Sequence, residues 1–182
     1  VRIENEDGVE LSGASVRLSR GLVGLVNLAD EADADGGAVF AGIPAGDYRL
    51  TVEQDGYVRK VRHVLRTGAD AQSVTVVLEK GAMVRGYVRD VEGRPIPGAQ
   101  VSIYPESPFA DVEVDTAFLA DLGVWSQVAT TDLDGYFVAR GIGADAVRVG
   151  AIAPGRAPAL SDLVRLGASD AAYVDLTLHE GR

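Results

Sequence analysis

One glycine-punctuated pattern occurs twice along this chain. Residues 7–18 match residues 92–103 at a constant offset, and the match aligns Gly13 with Gly98. Agreement over turn glycines and over the start of the following strand is a property of duplicated structural units. The chain therefore holds two copies of one fold, and each copy has to build its own core.

The remainder of the pattern shows where the two copies differ. Residues 33–56 match residues 132–155 at a larger constant offset, so the second copy carries an insertion, at about 105–127. We predict one domain over 1–80, with an opening strand truncated at its N-terminal side, and a second domain over 81–182. Both lengths are ordinary for single domains.

Apolar and polar residues alternate along short runs in each copy. Val74, Val76 and Leu78 form one such run, and Tyr48 and Leu50 begin another. A period of two places every second side chain on one face of a β-strand, and Gly-containing turn signals separate the runs at spacings typical of a sandwich. With 47% hydrophobic residues, both copies can fill a core. We predict an all-β protein of two tandem seven-stranded Greek-key β-sandwiches, transthyretin-like or immunoglobulin-like.

Composition and charge exclude several classes of function. The formal net charge is −10 and no basic run occurs, so the chain lacks the clustered Lys and Arg that bind nucleic acid. Without cysteine it forms neither a disulfide nor a thiolate metal site. No apolar stretch approaches the roughly 20 residues that span a bilayer. We expect no nucleic-acid partner and no transmembrane segment.

The sequence contains no recognisable catalytic motif. Its two histidines, His63 and His179, lie outside any nucleophile, zinc or phosphate-binding pattern. We therefore predict that the chain is not an enzyme and that it uses no cofactor.

Paired aspartates are the candidate metal ligands of the chain. Asp33 and Asp35 in the first copy, and Asp132 and Asp134 in the second, resemble the opening of a calcium loop. The later ligands of such a loop are missing, because strand residues follow directly. A turn closed by hydrogen bonds to the aspartate side chains explains the same residues, and we favour it over weak calcium binding.

The insertion concentrates aromatic residues in a short connection. Phe109, Phe118 and Trp125, the single tryptophan, lie in it, and residues 115–122 fit a short amphipathic helix. Aromatic side chains outside a core often form partner-binding surfaces, which makes these three residues candidates for partner binding. Packing of the insertion over one end of the sandwich also explains them, and we favour that interpretation.

Three segments of the second copy carry a family resemblance. They are residues 84–90 leading into 93–101, residues 130–137, and the closing strand over 172–178. Together they resemble carboxypeptidase regulatory-like domains, which are transthyretin-like, or prealbumin-like, β-sandwiches. The first copy is similar chiefly over 43–50, so the resemblance covers both copies in tandem.

The resemblance implies an accessory module rather than a catalyst. Such domains occur beside peptidase domains, in surface proteins and at the start of outer-membrane receptors. Related adhesin modules sometimes contain a lysine isopeptide crosslink. Lys60 and Lys80, the only lysines here, do not lie in the opening strand where that lysine occurs, so we expect no crosslink.

These inferences predict a non-catalytic structural or protein-binding tandem module of a larger secreted or cell-surface bacterial protein. We expect it outside the cytoplasm, whether secreted, periplasmic or on the cell surface, beside neighbouring domains of the same polypeptide. One alternative is a carbohydrate-binding accessory domain that uses Trp125, Tyr104 and Tyr136 as stacking rings. Another is a regulatory appendage of a peptidase.

Overall fold

All the regular secondary structure in the part of the chain that the structure describes is β-strand. This computed structural model describes residues 1–20, 26–66, 71–106, 128–167 and 170–181. The described residues contain 15 strands and no helix. They divide into two compact units, Val1–Lys80 and Gly81–Arg182. The prediction of an all-β fold is confirmed.

The first unit contains two sheets. Its described strands are β1 (Arg2–Asn5), β2 (Ser15–Arg20), β3 (Val26–Glu31), β4 (Gly46–Glu53), β5 (Lys60–Arg66) and β6 (Thr75–Leu78). Strands β1 and β6 pair in parallel, and the other four form an antiparallel sheet in the order β3-β2-β4-β5. Ile3 from the first sheet and Val16 and Leu50 from the second are buried in a shared core, so the two sheets pack face to face.

The second unit repeats this plan with more strands. They are β7 (Ala82–Asp90), β8 (Gln100–Pro105), β9 (Val128–Thr130), β10 (Tyr136–Ile142), β11 (Ala146–Ile152), β12 (Ala159–Leu160), β13 (Val164–Arg165), β14 (Ala171–Tyr173) and β15 (Leu176–Leu178). One sheet has the order β10-β7-β14, with β15 also pairing with β7, and the other has the order β12-β11-β8-β9, with β13 also pairing with β11. Because β14 and β15 share one neighbour, as do β12 and β13, counting each interrupted strand once gives seven among the described residues of this unit, and the predicted number of strands per sandwich stays a prediction.

Strand β7 shows how the alternating sequence produces the two faces of a sheet. Val84 and Val88 are fully buried in the core, whereas Arg85 and Arg89 are exposed. Tyr87 shares their parity and therefore lies on the same outer face. The inner face of β7 stabilises the sandwich, and the outer face is available for other roles.

The interruption between β14 and β15 lies opposite Gly86. A Cβ atom at Gly86 would lie 1.8 Å from the carbonyl oxygen of Val174, so only glycine permits this approach of the two strands. The N–H of Tyr87 donates to Asp175 Oδ1 at 2.9 Å across the break. The break thus brings a carboxylate beside Tyr87.

The insertion falls almost entirely outside the described residues. Strand β8 ends at Pro105 and the next described strand, β9, begins at Val128. The helix predicted over 115–122 also lies outside them. No helix of the described ranges is long and apolar enough to cross a membrane.

Candidate binding surface

The paired aspartates close tight turns. Asp33 Oδ1 accepts hydrogen bonds from the N–H groups of Asp35 at 3.0 Å and Gly37 at 2.8 Å. In the second unit, Asp132 Oδ1 makes the same two contacts with the residues two and four positions further on, at 3.0 and 2.9 Å. One oxygen of each of these carboxylates is therefore engaged by the backbone, as an Asx turn requires.

The same pair of side-chain-to-backbone hydrogen bonds closes two further turns. Asn5 Oδ1 and Asp90 Oδ1 each accept hydrogen bonds from the N–H groups two and four positions on. Because the neutral side chain of Asn5 closes its turn as well as the aspartates close theirs, the turn needs an oxygen and not a charge. Sequence reasoning missed these two positions, although all four share the visible pattern Asn/Asp-x-Asp/Glu-Gly.

The described residues offer no ready-made metal centre. No group of three or more His, Cys, Asp or Glu side chains that could hold a metal ion occurs among them. The turns at Asp33 and Asp132 each pair that aspartate with one other, and the first aspartate of each pair is already bonded to the backbone. Weak calcium binding at Asp33, Asp35, Asp132 and Asp134 stays the less favoured of the two interpretations, and the absence of a bound metal is still a prediction.

Asp90 is the most enclosed charged side chain of the described residues, with 4% of its surface exposed. Its Oδ2 accepts from Arg94 Nε at 2.8 Å and from Arg156 Nη2 at 3.4 Å. Burial acts to raise the pKa of Asp90, but hydrogen bonds from the Arg94 side chain and from the N–H groups of Arg94 and Glu92 outweigh it, so the pKa lies below its ordinary value. The carboxylate is fully occupied, which indicates a structural role.

Three tyrosines lie side by side on the outer face of the sheet β10-β7-β14. The ring centroid of Tyr87 lies 5.3 Å from that of Tyr136 and 6.4 Å from that of Tyr173, and its plane is inclined by 59° and 60° to theirs. Tyr136 is directly opposite Tyr87 in the strand register. Tyr173 is 57% exposed. We call Tyr136, Tyr87 and Tyr173 the tyrosine row.

Charged side chains hold the tyrosine row in place. The guanidinium of Arg89 lies over the ring of Tyr87, with Cζ 4.5 Å from the centroid. Asp175 accepts a hydrogen bond from the backbone N–H of Tyr87. Partial burial, followed by the charge and hydrogen-bonding capacity of Asp175, raises the pKa of Tyr173 above its ordinary value. The Tyr173 hydroxyl therefore keeps its proton over a wider pH range.

The tyrosine row also borders a depression at the edge of the second unit. Tyr173 and Asp175 line an open depression of about 450 Å³, which is also lined by Leu160 and Asp162. A ligand on the row would therefore have a recess at one end.

The structure separates the residues that the sequence grouped as stacking rings. Tyr104 lies in β8, in the sheet opposite to that of Tyr136, and its ring passes beside Gly150. His179 is exposed, and the side chain of His63 lies outside the described residues. Three candidates also lie outside them, namely Phe109, Phe118 and Trp125.

These features define a class of protein, a pair of β-sandwich modules. In the described residues, Asp and Asn side chains close turns, and the tyrosine row forms an aromatic surface on the second unit. The family model of the carboxypeptidase regulatory-like domain matches residues 1–79 and 83–179. The chain belongs to this family, which confirms the resemblance and its two tandem copies. Membership is consistent with a non-catalytic structural module. No curated protein matches the chain.

Several solved structures are similar to this chain at low identity. The Bacillus anthracis TIE protein is 16% identical with a TM-score of 0.42, and the match covers 98% of this chain and 33% of that one. The streptococcal ancillary pilin is 16% identical with a TM-score of 0.40, over 99% and 61%. Chlorocatechol 1,2-dioxygenase from Pseudomonas putida is 12% identical with a TM-score of 0.41, over 56% and 61%. This chain thus spans about a third of the TIE protein, and likenesses of this size do not bear on function.

Proposed function

We propose that this chain is a non-catalytic structural and protein-binding tandem module of a larger bacterial protein that is secreted or displayed on the cell surface. The main observation behind the proposal is that buried polar side chains form structural hydrogen bonds. Among the described residues these are Thr51, Asp90 and Thr131. The Thr131 hydroxyl accepts from the N–H of Ala99 and donates to the carbonyl of Ile96, so it fastens two segments of backbone.

Catalytic sites usually contain buried titratable groups with unused hydrogen-bonding capacity. Asp90 is the single buried charged residue that the described ranges contain, and four hydrogen bonds engage its carboxylate. Those bonds favour the charged form of Asp90, which accordingly has a lowered pKa. A carboxylate held in this way is a poor general acid or base, which supports a structural module.

The tyrosine row supports the binding part of the proposal. Tyrosine and arginine are enriched at the centres of protein interfaces, because they bury a large area at a low cost in conformational entropy. Tyr87 and Arg89 are already in contact on the outer face of the second unit. A partner protein would therefore meet side chains that are ordered before it binds.

A carbohydrate-binding accessory domain is the second candidate, because Tyr136 belongs to the tyrosine row and tyrosine rings can stack on sugars. On this alternative, binding to a glycan array is lost in Trp125→Ala or in Tyr136→Ala. An array that stays silent with the unmodified chain removes its support. A regulatory role beside a peptidase is a further proposal, which the neighbouring domains of the full polypeptide would decide.

The leading proposal is tested on cells of the source bacterium. Antibodies raised against the purified chain are expected to label intact cells or the culture supernatant, with an antibody against a cytoplasmic protein as the negative control. The purified chain is expected to turn over no peptide, ester or glycoside substrate. Labelling that requires cell lysis, or turnover that follows the chain through purification, contradicts the proposal.

A further inference from the structure

We infer that the outer face of the second unit binds an extended, acidic, proline-rich segment of a partner protein. Its prolines would pack against the tyrosine row, and its carboxylates would bind Arg85 and Arg89. The inference rests on the proposed function and deepens it, because it names the surface and the chemistry of the partner.

The two arginines provide the charge complementarity. Arg85 and Arg89 lie on either side of Tyr87 along β7, and both are exposed. No ion pair among the described residues involves either of them. A guanidinium that is not ion-paired, even one stacked on a ring as Arg89 is on Tyr87, can bind a carboxylate through paired N–H groups. Because Arg85 and Arg89 outnumber Asp175, the carboxylate beside the tyrosine row, this face favours an acidic ligand although the chain has a net charge of −10.

The geometry of the rings favours proline as the apolar part of the ligand. The row crosses three strands, from Tyr136 on β10 through Tyr87 on β7 to Tyr173 on β14. Neighbouring ring planes are inclined by about 60°, so the row has an uneven apolar surface rather than a flat one. Proline-rich segments dock on rows of aromatic side chains because their extended conformation exists before binding.

The row is fixed before a ligand arrives. Asp175 binds the backbone N–H of Tyr87, Arg89 lies over the ring of Tyr87, and the rings of Tyr136 and Tyr173 contact that central ring. Side chains that are already ordered lose little conformational entropy on binding. A short segment can therefore bind this surface with measurable affinity.

The matching face of the first unit has the opposite character. In the repeat, Ile3 corresponds to Val88, so Arg2 occupies the position of Tyr87. Arg2 forms ion pairs with Glu4 and with Glu10 on its own surface, and these satisfy its charge internally. The duplication thus places aromatic rings and arginines without ion pairs on the described face of the second unit, and an arginine paired with carboxylates at the matching position of the first.

The test uses the full chain, labelled with ¹⁵N, and a synthetic peptide of about six Glu-Pro repeats. We expect amide shifts centred on the tyrosine row. We also expect roughly tenfold weaker binding in Arg85→Gln, Arg89→Gln and Tyr173→Ser, because residues of these types dominate interface energies. Arg17→Gln, an exposed arginine on β2 of the first unit, is the matched control and should bind like the unmodified chain. Thermal melts verify that each variant is folded.

Three further ligands separate the alternatives. A Glu-Ser peptide of equal length has the charge without the proline, and a Gln-Pro peptide has the proline without the charge, so both should bind weakly. Equal binding of the Glu-Ser peptide, absence of binding by the Glu-Pro peptide, or preference for an oligogalacturonate overturns the inference. Cell labelling and substrate turnover are unaffected by these results, so failure here is distinguishable from failure of the proposed function.

Discussion

Asp90 and Arg94 are joined both through the backbone and through their side chains. Oδ1 of Asp90 accepts a hydrogen bond from the N–H of Arg94 at 3.0 Å, and Oδ2 accepts one from Nε of Arg94 at 2.8 Å. In the first unit, the neutral side chain of Asn5 makes the matching hydrogen bond with the N–H of Val9 but forms no ion pair. The turn of the first unit therefore has the backbone hydrogen bond without the ion pair, and the turn of the second unit has both.

Two substitutions at Asp90 should distinguish the contribution of the turn hydrogen bonds from that of the ion pairs. Asp90→Asn keeps an oxygen for the turn, as Asn5 does, but loses the ion pairs to Arg94 and Arg156. Asp90→Ala loses both contributions. We expect the melting temperature of the second unit to fall modestly in Asp90→Asn and further in Asp90→Ala, as measured by calorimetry. Asp134→Asn is the control and should melt like the unmodified chain, and equal losses in both Asp90 variants would show that the turn contact contributes nothing.

The stabilisation by Asp90 should depend on pH in a defined direction. Because the pKa of Asp90 is lower in the folded state, its contribution is complete above the ordinary aspartate pKa of about 3.9 and is lost as the pH falls through the lower folded value. The difference in melting temperature between the unmodified chain and Asp90→Asn is therefore expected to shrink under acidic conditions. A difference that stays constant from neutral pH to strongly acidic pH would contradict this assignment.

Two turn glycines should differ in their sensitivity to alanine. Gly93 and Gly135 have φ angles of 80° and 75°, a conformation that costs an L-residue about 1–2 kcal/mol. A Cβ at Gly93 meets nothing within 4 Å, but one at Gly135 would lie 2.6 Å from the carbonyl oxygen of Val88. That oxygen accepts the N–H of Ile96, so Gly135→Ala should lower the free energy of unfolding by more than Gly93→Ala. Urea denaturation measures both, and equal effects would refute the close approach.

Millimolar calcium should leave the melting temperature of the chain unchanged. Asp33 and Asp132 each use one oxygen to close a turn, so too few ligands remain for a calcium ion, which takes 6–8 oxygens. The comparison is made against the same chain in a chelator. A calcium-dependent rise that is lost in Asp134→Asn would instead establish the weak site.

The sequence was sufficient to predict the fold, since duplicated glycines, strand alternation and turn signals are local properties. The turns closed by Asn5 and Asp90 could also be predicted, because they share the pattern Asn/Asp-x-Asp/Glu-Gly with the turns at Asp33 and Asp132. The tyrosine row was not, because it joins Tyr87 to Tyr173 across the parallel pairing of strands that are distant in sequence. Their alignment follows from the register of β14, which places Tyr173 opposite Arg85 on β7, and the pairing of two strands so far apart in sequence leaves no local signal.

The break between β14 and β15 has a consequence for self-association. These strands form one edge of their sheet, and a continuous edge offers a template on which further copies can add. Here the template is cut into segments of three residues each, with the charge of Asp175 at the cut. This edge of the sheet is therefore a poor template for strand addition, even where many copies are crowded together.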